Sequence, residues 1–166
     1  MRKLLDKWQT LKIHDDKRHY GDVVDLIERH RLSAKQTFDG VPTVYYEIYL
    51  HNTNHKVGKC DLRLKNDERM YYYGNVGYNI IESERGHHYA YYACKVLFDI
   101  ARDEFGYKTL YLTCDPDNKA SYKTLVKLGG KLIETKEVPY DHELYEKGEF
   151  YKCIFRYRID INGENK

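Results

Sequence analysis

The sequence predicts an α/β fold, a sheet of mixed direction with helices packed on it and a β-hairpin at the C-terminal end. Ala90, Ala93, Cys94, Leu97, Ala101 and Phe105 recur at three- and four-residue steps, the period of a helix that buries one face. Tyr151, Cys153, Phe155, Tyr157, Ile159 and Ile161 alternate with Lys152, Arg156, Arg158 and Asp160, the period of a strand with one face wet. Clusters of Gly, Pro, Asn and Asp separate the periodic segments and supply turn chemistry. With 166 residues the size prior is a single domain, expected over residues 1–161, with 162–166 as a frayed, disordered tail.

Taken in order, residues 8–13 read as a first strand. Residues 19–32 mix Val23, Val24, Leu26 and Ile27 with charges and read as a helix. Val44, Tyr46, Ile48 and Leu50 alternate as a strand, Asn52-Thr53-Asn54 turns the chain, and 57–64 returns as the hairpin partner. A polar stretch, 65–69, leads to a strand over 71–80 with Tyr72, Gly74, Val76, Tyr78 and Ile80 on one side. The amphipathic helix follows and is expected to stop at Gly106. Residues 109–114 form a short strand with Leu110, Leu112 and Cys114 on one face and Tyr111 and Thr113 on the other. Asp115-Pro116-Asp117-Asn118 turns the chain and offers capping oxygens to a second helix that ends at Gly129-Gly130. Residues 131–138 and 150–161 make the final hairpin, joined by an acidic loop that carries Asp141, Glu143 and Glu146.

Composition narrows the partners. Lys and Arg total 28 against 26 Asp and Glu, so no broad field exists for nucleic acid or an anionic membrane, and neither is expected as a partner. No run of about 18 apolar residues is present, and residues 1–6 lack the apolar core of a signal peptide. Cys60, Cys94, Cys114 and Cys153 show no C-x-x-C spacing and fall mostly on apolar faces; buried thiols in a cytoplasmic, reducing setting are expected. His51 and His55 lie in a turn-rich segment with no Glu after the first, so no metal site is expected. No Ser or Cys nucleophile stands in a recognisable elbow. Tyrosine, at 18 residues, suits half-buried strands; a base-stacking role would need an interleaved basic stripe, which the sequence lacks.

The chemistry concentrates where a strand gives way to the amphipathic helix, at Arg85-Gly86-His87-His88-Tyr89-Ala90. A helix that begins straight off a turn leaves its first N–H groups unpaired at a positive dipole end, a socket for phosphate. A second block, Asn118-Lys119-Ala120-Ser121, is followed by Lys127-Leu128-Gly129-Gly130. The first block resembles the acyl-CoA signature Q/R-x-x-G-x-G/A of the GNAT acyltransferase superfamily, with Arg85 in the first slot, Ala90 in the last and His88 where glycine is expected. The second resembles the family's N-x-x-S block and K-L-G helix end. Order, spacing and the intervening strand agree, over roughly residues 70–135.

The resemblance implies a single-domain GNAT-like fold, its mixed sheet mostly antiparallel, and transfer of an acetyl group from acetyl-CoA, with no metal, to an amine by direct attack in a ternary complex. The acceptor is a small-molecule amine or a protein N-terminus; a homodimer is compatible with the pattern. It implies that the amides of Arg85, Gly86, His87, His88, Tyr89 and Ala90 hold the pyrophosphate and that Ile80 and Ile81 pair with the pantetheine arm. A bulge there would open a slot beside strand 109–114. Asn118 and Ser121 match positions that contact the arm, although Asn118 is equally well read as a helix cap and Ser121 as facing a neighbour. Lys119, Lys123 and Lys127 form a row that either meets the ribose phosphate or is simply solvated. Many members place a tyrosine acid where this chain has Leu125, and its absence resembles the ribosomal-protein alanine acetyltransferase branch. Candidates for base or acid are Glu47, Asp61, Glu82, Tyr78 and Tyr111. His88 keeps its N–H for phosphate if its dihedral angles are helical rather than left-handed. The alternative function is a non-catalytic acyl-CoA-binding or regulatory domain on the same scaffold.

Overall fold

The computed structural model describes residues 17–160, and the chain divides into two compact units, one of residues up to Leu62 together with Tyr78–Leu97, the other of Arg63–Gly77 together with Phe98 onward. The strand expected at 8–13 and the tail at 162–166 lie outside the described residues.

The first unit is built on a five-stranded sheet ordered β1-β2-β3-β4-β5, from β1 (Arg18–His19), β2 (Val24–Leu32), β3 (Thr43–Leu50), β4 (Lys56–Arg63) and β5 (Val76–Ile80). Val76 and Gly77, at the start of β5, and Arg63, at the end of β4, group with the second unit. Residues 19–32 are therefore not a helix. β2 pairs antiparallel with β1 and with β3, from Val24↔Leu50 to Leu32↔Thr43, with a register shift between Glu28 and His30. Of the charges in this stretch, Asp25 and Glu28 are buried and partnered. Asp25, fully buried, accepts from Arg18 Nε at 2.9 Å and from the N–H groups of Gly21 and Asn52, and lies 2.8 Å from His51 Nδ1. Glu28 is bound by Lys17 at 3.1 Å and Arg31 at 2.9 Å. With their charges partnered, both carboxylates can sit inside a sheet, where an unpaired one would be costly. Val24, Leu26, Val44, Ile48, Val57 and Leu62 fill the core, and helix α2 (Tyr89–Asp103) contributes Ala93, Cys94 and Leu97.

In the second unit, residues 71–75 are not strand. Asp67 caps α1 (Glu68–Tyr73), its carboxylate accepting the Met70 N–H at 2.9 Å, and Gly74 at φ +73° ends it. Gly74 also allows close approach, since a Cβ there would stand 2.8 Å from the Tyr111 carbonyl oxygen. Local capping thus overrides the alternation read across Tyr72 and Gly74, and only 76–80 remain extended. From Phe98 onward α2 belongs to this unit, and it stops as expected at Gly106, φ +69°. β6 (Thr109–Cys114), β7 (Lys131–Glu137) and β8 (Tyr151–Arg158) form a three-stranded antiparallel sheet ordered β6-β8-β7, with α3 (Lys119–Lys127) between β6 and β7 and α4 (Glu143–Glu146) in the hairpin connection. The alternation predicted for β8 holds at Cys153, Phe155 and Tyr157, but Ile154 is also buried and Tyr151 is half exposed. As the central strand, β8 is covered on both faces at its middle and bare at its start. Tyr157 packs against Phe98, ring centroids 5.1 Å apart, and donates its hydroxyl to the Leu125 carbonyl. The four cysteines are buried and free. No helix among the described residues is long and apolar enough to cross a membrane.

Candidate active site

The first unit carries the loop singled out from the sequence. Ile81 donates its N–H to Val57 on β4 at 2.9 Å, and Glu82–Glu84 make one 3-10 turn. Arg85 Nε donates to the Ile80 carbonyl at 3.0 Å, which folds the arginine back onto the end of β5 and fixes where the loop begins. His55 Nε2 lies 2.5 Å from the Glu84 carboxylate and tethers the turn from the β3–β4 connection. Gly86 has φ +92° and His88 φ +61°. His88 is left-handed and not helical, the reason glycine suits that slot, but its N–H still meets no acceptor among the described residues, so helical angles are not the condition for leaving it unpaired. Histidine is one of the side chains that tolerates this region better than most.

α2 then begins at Tyr89, with Tyr92 N–H the first to bond back, to His88 oxygen at 3.2 Å. Among the described residues, the N–H groups of Gly86, His87, His88, Tyr89 and Ala90 meet no acceptor. Residues 85–88 are exposed, and a Cβ on Gly86 would have nothing within 4 Å. A run of unpaired amides at an exposed helix start is a built anion socket. The residues present therefore fit a pyrophosphate. With the Ile81 N–H turned to β4, the alternation of strand hydrogen bonding points the Ile80 backbone away from β4, along the outer edge of the sheet.

The remaining candidates in this unit differ in character. Glu47 on β3 is held by Arg29 at 2.6 Å and Lys56 at 2.8 Å and accepts the Tyr49 hydroxyl at 2.7 Å. Burial raises its pKa, but the hydrogen bonds from Lys56, Tyr49 and Arg29 outweigh this and bring it to about 2. A carboxylate so stabilised is a weak base and suits a structural tie. Tyr78 is half-buried on β5, Asp61 is half-buried on β4, and Glu82 is exposed in the 3-10 turn.

The second unit holds Tyr111, Asn118 and Ser121. Asn118 caps α3, its oxygen accepting the Ser121 N–H at 3.1 Å. Lys119, Lys123 and Lys127 are exposed, and Leu125, in the slot where a tyrosine acid was sought, is buried. Tyr111 lines a cleft of about 730 Å³ together with Tyr71, Tyr72, Lys136, Asp141 and His142. Tyr71 meets Tyr111 edge-on, centroids 5.5 Å apart, and donates its hydroxyl to Glu134 at 2.9 Å. Burial and that carboxylate push the Tyr71 pKa up to about 12. Of the three acids in the hairpin connection, Asp141 lines the cleft. Sequence reading did not single out Tyr71, Tyr72, Lys136 or His142. The available signal was Asp67 three residues before Met70 with Gly74 beyond, which marks a short helix and would have turned the tyrosines out of a strand.

A family model, acetyltransferase (GNAT) domain, matches residues 6–131. The chain belongs to the GNAT acetyltransferase family. Solved structures similar to this GNAT chain include an acetyltransferase from Agrobacterium tumefaciens str. C58 (22% identity, 73% of this chain and 63% of that one, TM-score 0.52). Another is RimL, the ribosomal L7/L12 alpha-N-protein acetyltransferase in complex with coenzyme A (12% identity, 87% of this chain and 99% of that one, TM-score 0.61). A third is the microcin C7 self-immunity acetyltransferase MccE in complex with acetyl-CoA and AMP (18% identity, 70% and 61%, TM-score 0.52). At these identities the likeness is one of fold, and this GNAT chain spans less than two thirds of the Agrobacterium and MccE chains. No curated protein matches it by sequence. The antiparallel sheets, flanking helices and C-terminal β7–β8 hairpin are those of a GNAT fold with a ribosomal-protein acetyltransferase among its structural neighbours.

Proposed function

We propose that this GNAT chain transfers the acetyl group of acetyl-CoA to an amine by direct attack in a ternary complex. The observation that carries the reading is the set of unpaired amides from Gly86 to Ala90, in the family's signature slot and on a loop exposed over residues 85–88. When bound, acetyl-CoA supplies a thioester activated toward amines. The chain's own residues supply the rest. The amides and dipole of α2 hold the pyrophosphate, Arg85 keeps the loop against Ile80, and the Ile80 backbone offers its hydrogen bonds to the pantetheine amides. Asn118 and Ser121 set the start of α3, the second block of the signature.

In the transfer a C–N bond forms as the C–S bond breaks; the amine gives up a proton and the departing sulfur takes one. Tyr78, Tyr111 and Glu82 are the residues we put forward for these proton movements, and Glu47 is assigned to structure. The acceptor is a small-molecule amine or a protein N-terminus, the latter being what the name of RimL describes for that protein. Four buried, free cysteines agree with a reducing compartment, and we place the protein in the cytoplasm.

One observation favours a second reading: Leu125 fills the tyrosine slot and is buried, which agrees with a domain that binds acyl-CoA without turnover. A thiol-release assay with acetyl-CoA against polyamines, amino acids, aminoglycosides and short peptides separates the two. Acetylated product with matching thiol release supports transfer; saturable acetyl-CoA binding with no release across the panel supports the binding domain.

A further inference from the structure

The loop over Arg85–Ala90 is tied down from outside its own motif. Helix α2 fixes its far end, while a Cβ on Gly86 would have nothing within 4 Å, so the near end depends on what holds the Glu82–Glu84 turn. Within the first unit that turn is bound from the β3–β4 connection, where His55 Nε2 lies 2.5 Å from the Glu84 carboxylate. An ionised carboxylate only accepts, so the ring nitrogen carries the proton and donates. On its own side, Glu84 bonds its N–H to the Ile81 carbonyl at 2.8 Å.

The other end of the tie is stiff. The His55 N–H donates to Thr53 Oγ1 at 3.1 Å, the His55 carbonyl accepts the Leu50 N–H at 2.9 Å, and the Thr53 hydroxyl donates to the Leu50 carbonyl at 2.9 Å. The Thr53 carbonyl accepts from Arg18 Nη2 at 2.7 Å, and Arg18 is held by the fully buried Asp25. A chain of bonds thus runs from a core carboxylate to Glu84.

Glu84 also places a charge where it opposes the ligand. It stands two residues before Gly86, the first of the unpaired amides, and a bare carboxylate there would repel a cofactor phosphate. The Glu84 side chain is 22% exposed and that of His55 53%, so His55 can be replaced without opening the core.

We propose that His55 is a positioning residue for acetyl-CoA: acting through Glu84, it holds the Arg85–Ala90 loop ready for the pyrophosphate and covers the carboxylate that would oppose it. The proposal rests on the acetyl-CoA socket, which the transfer and binding-domain readings share. A loop ordered before the ligand arrives loses less freedom on binding.

The test is calorimetric titration of the full chain with acetyl-CoA, on wild type and variants, with each melting temperature measured without cofactor. His55→Ala should weaken acetyl-CoA binding about fivefold, the upper range for a half-exposed ion pair, with the melting temperature unchanged. Glu84→Gln should stay within about twofold of wild type, since the lost tie is offset by the removed charge. In the Glu84→Gln chain His55→Ala should then have no further effect, as expected of a residue that acts through its partner. His55→Lys returns a cation to the same turn and should recover most of the loss. Two results each overturn the proposal while wild type binds: His55→Ala binding as tightly as wild type, or weakening binding equally in the Glu84→Gln and native chains. A wild-type chain that binds no acetyl-CoA overturns the socket reading and this proposal with it, so the two failures are told apart.

Discussion

Asn75 grips the backbone of Tyr111 twice: its N–H donates to the Tyr111 carbonyl at 2.7 Å, and its side-chain oxygen accepts the Tyr111 N–H at 2.9 Å. The same side chain donates to Asn66 at 2.8 Å, so one buried amide ties the entry of β5 to the middle of β6 and to the segment before α1. This places Tyr111 in the wall of the cleft.

Asn75→Ala leaves the half-buried Tyr111 N–H without its side-chain partner, while the exposed Asn66 oxygen can turn to water. The expected loss is about 1–3 kcal/mol of stability, the cost of stranding a polar group away from water. Urea denaturation measures it, and a change within about 0.5 kcal/mol, typical of surface sites, would show that the grip is replaceable.

His88 sits left-handed in a slot that favours glycine. His88→Gly should hold stability level or raise it by up to about 1 kcal/mol, since relief of a left-handed side chain is partly offset by the freedom glycine adds to the unfolded chain. His88→Val should lose about 1 kcal/mol or more, because a β-branched residue resists φ > 0. Thermal denaturation of the pair gives the order; Val equal to Gly would contradict the strain argument.

Glu47 predicts a pH dependence. Its pKa falls from 4.5 to about 2 on folding, so its contribution is present above the unfolded value and is lost as pH falls from about 5 toward 2. The magnitude is on the order of 3 kcal/mol. Glu47→Gln should therefore be destabilised at neutral pH, with the gap to wild type closing as pH approaches 2. A gap of constant size would mean that the ion pairs with Arg29 and Lys56 contribute little.

Much of the fold was legible because burial and periodicity coincide. Leu110, Leu112 and Cys114 are buried as their spacing implies, and α3 starts at the Asn118 cap and ends before Gly129. Residues 19–32 misled because Asp25 and Glu28 look solvated until Arg18, His51, Lys17 and Arg31 are seen around them, and all of these but Arg31 lie outside β2. Residues 71–75 misled because six residues of helix are too short for periodicity to register, leaving only Asp67 and Gly74 to mark it. The loop over Arg85–Ala90 was readable as a motif because backbone chemistry dictates its residue types. The cleft was not, because Tyr71, Lys136 and His142 come from separate elements and meet only through the tertiary structure.

The central claim is that the amides at the start of α2 hold the cofactor's phosphates, and backbone N–H resonances report on it directly. Titration of the uniformly ¹⁵N-labelled chain with acetyl-CoA should move the Gly86, His87, His88, Tyr89 and Ala90 signals together, saturably, with a parallel rise in melting temperature. Acetyl-CoA that binds while those resonances stay still, or that neither binds nor stabilises the chain at millimolar concentration, would contradict the account.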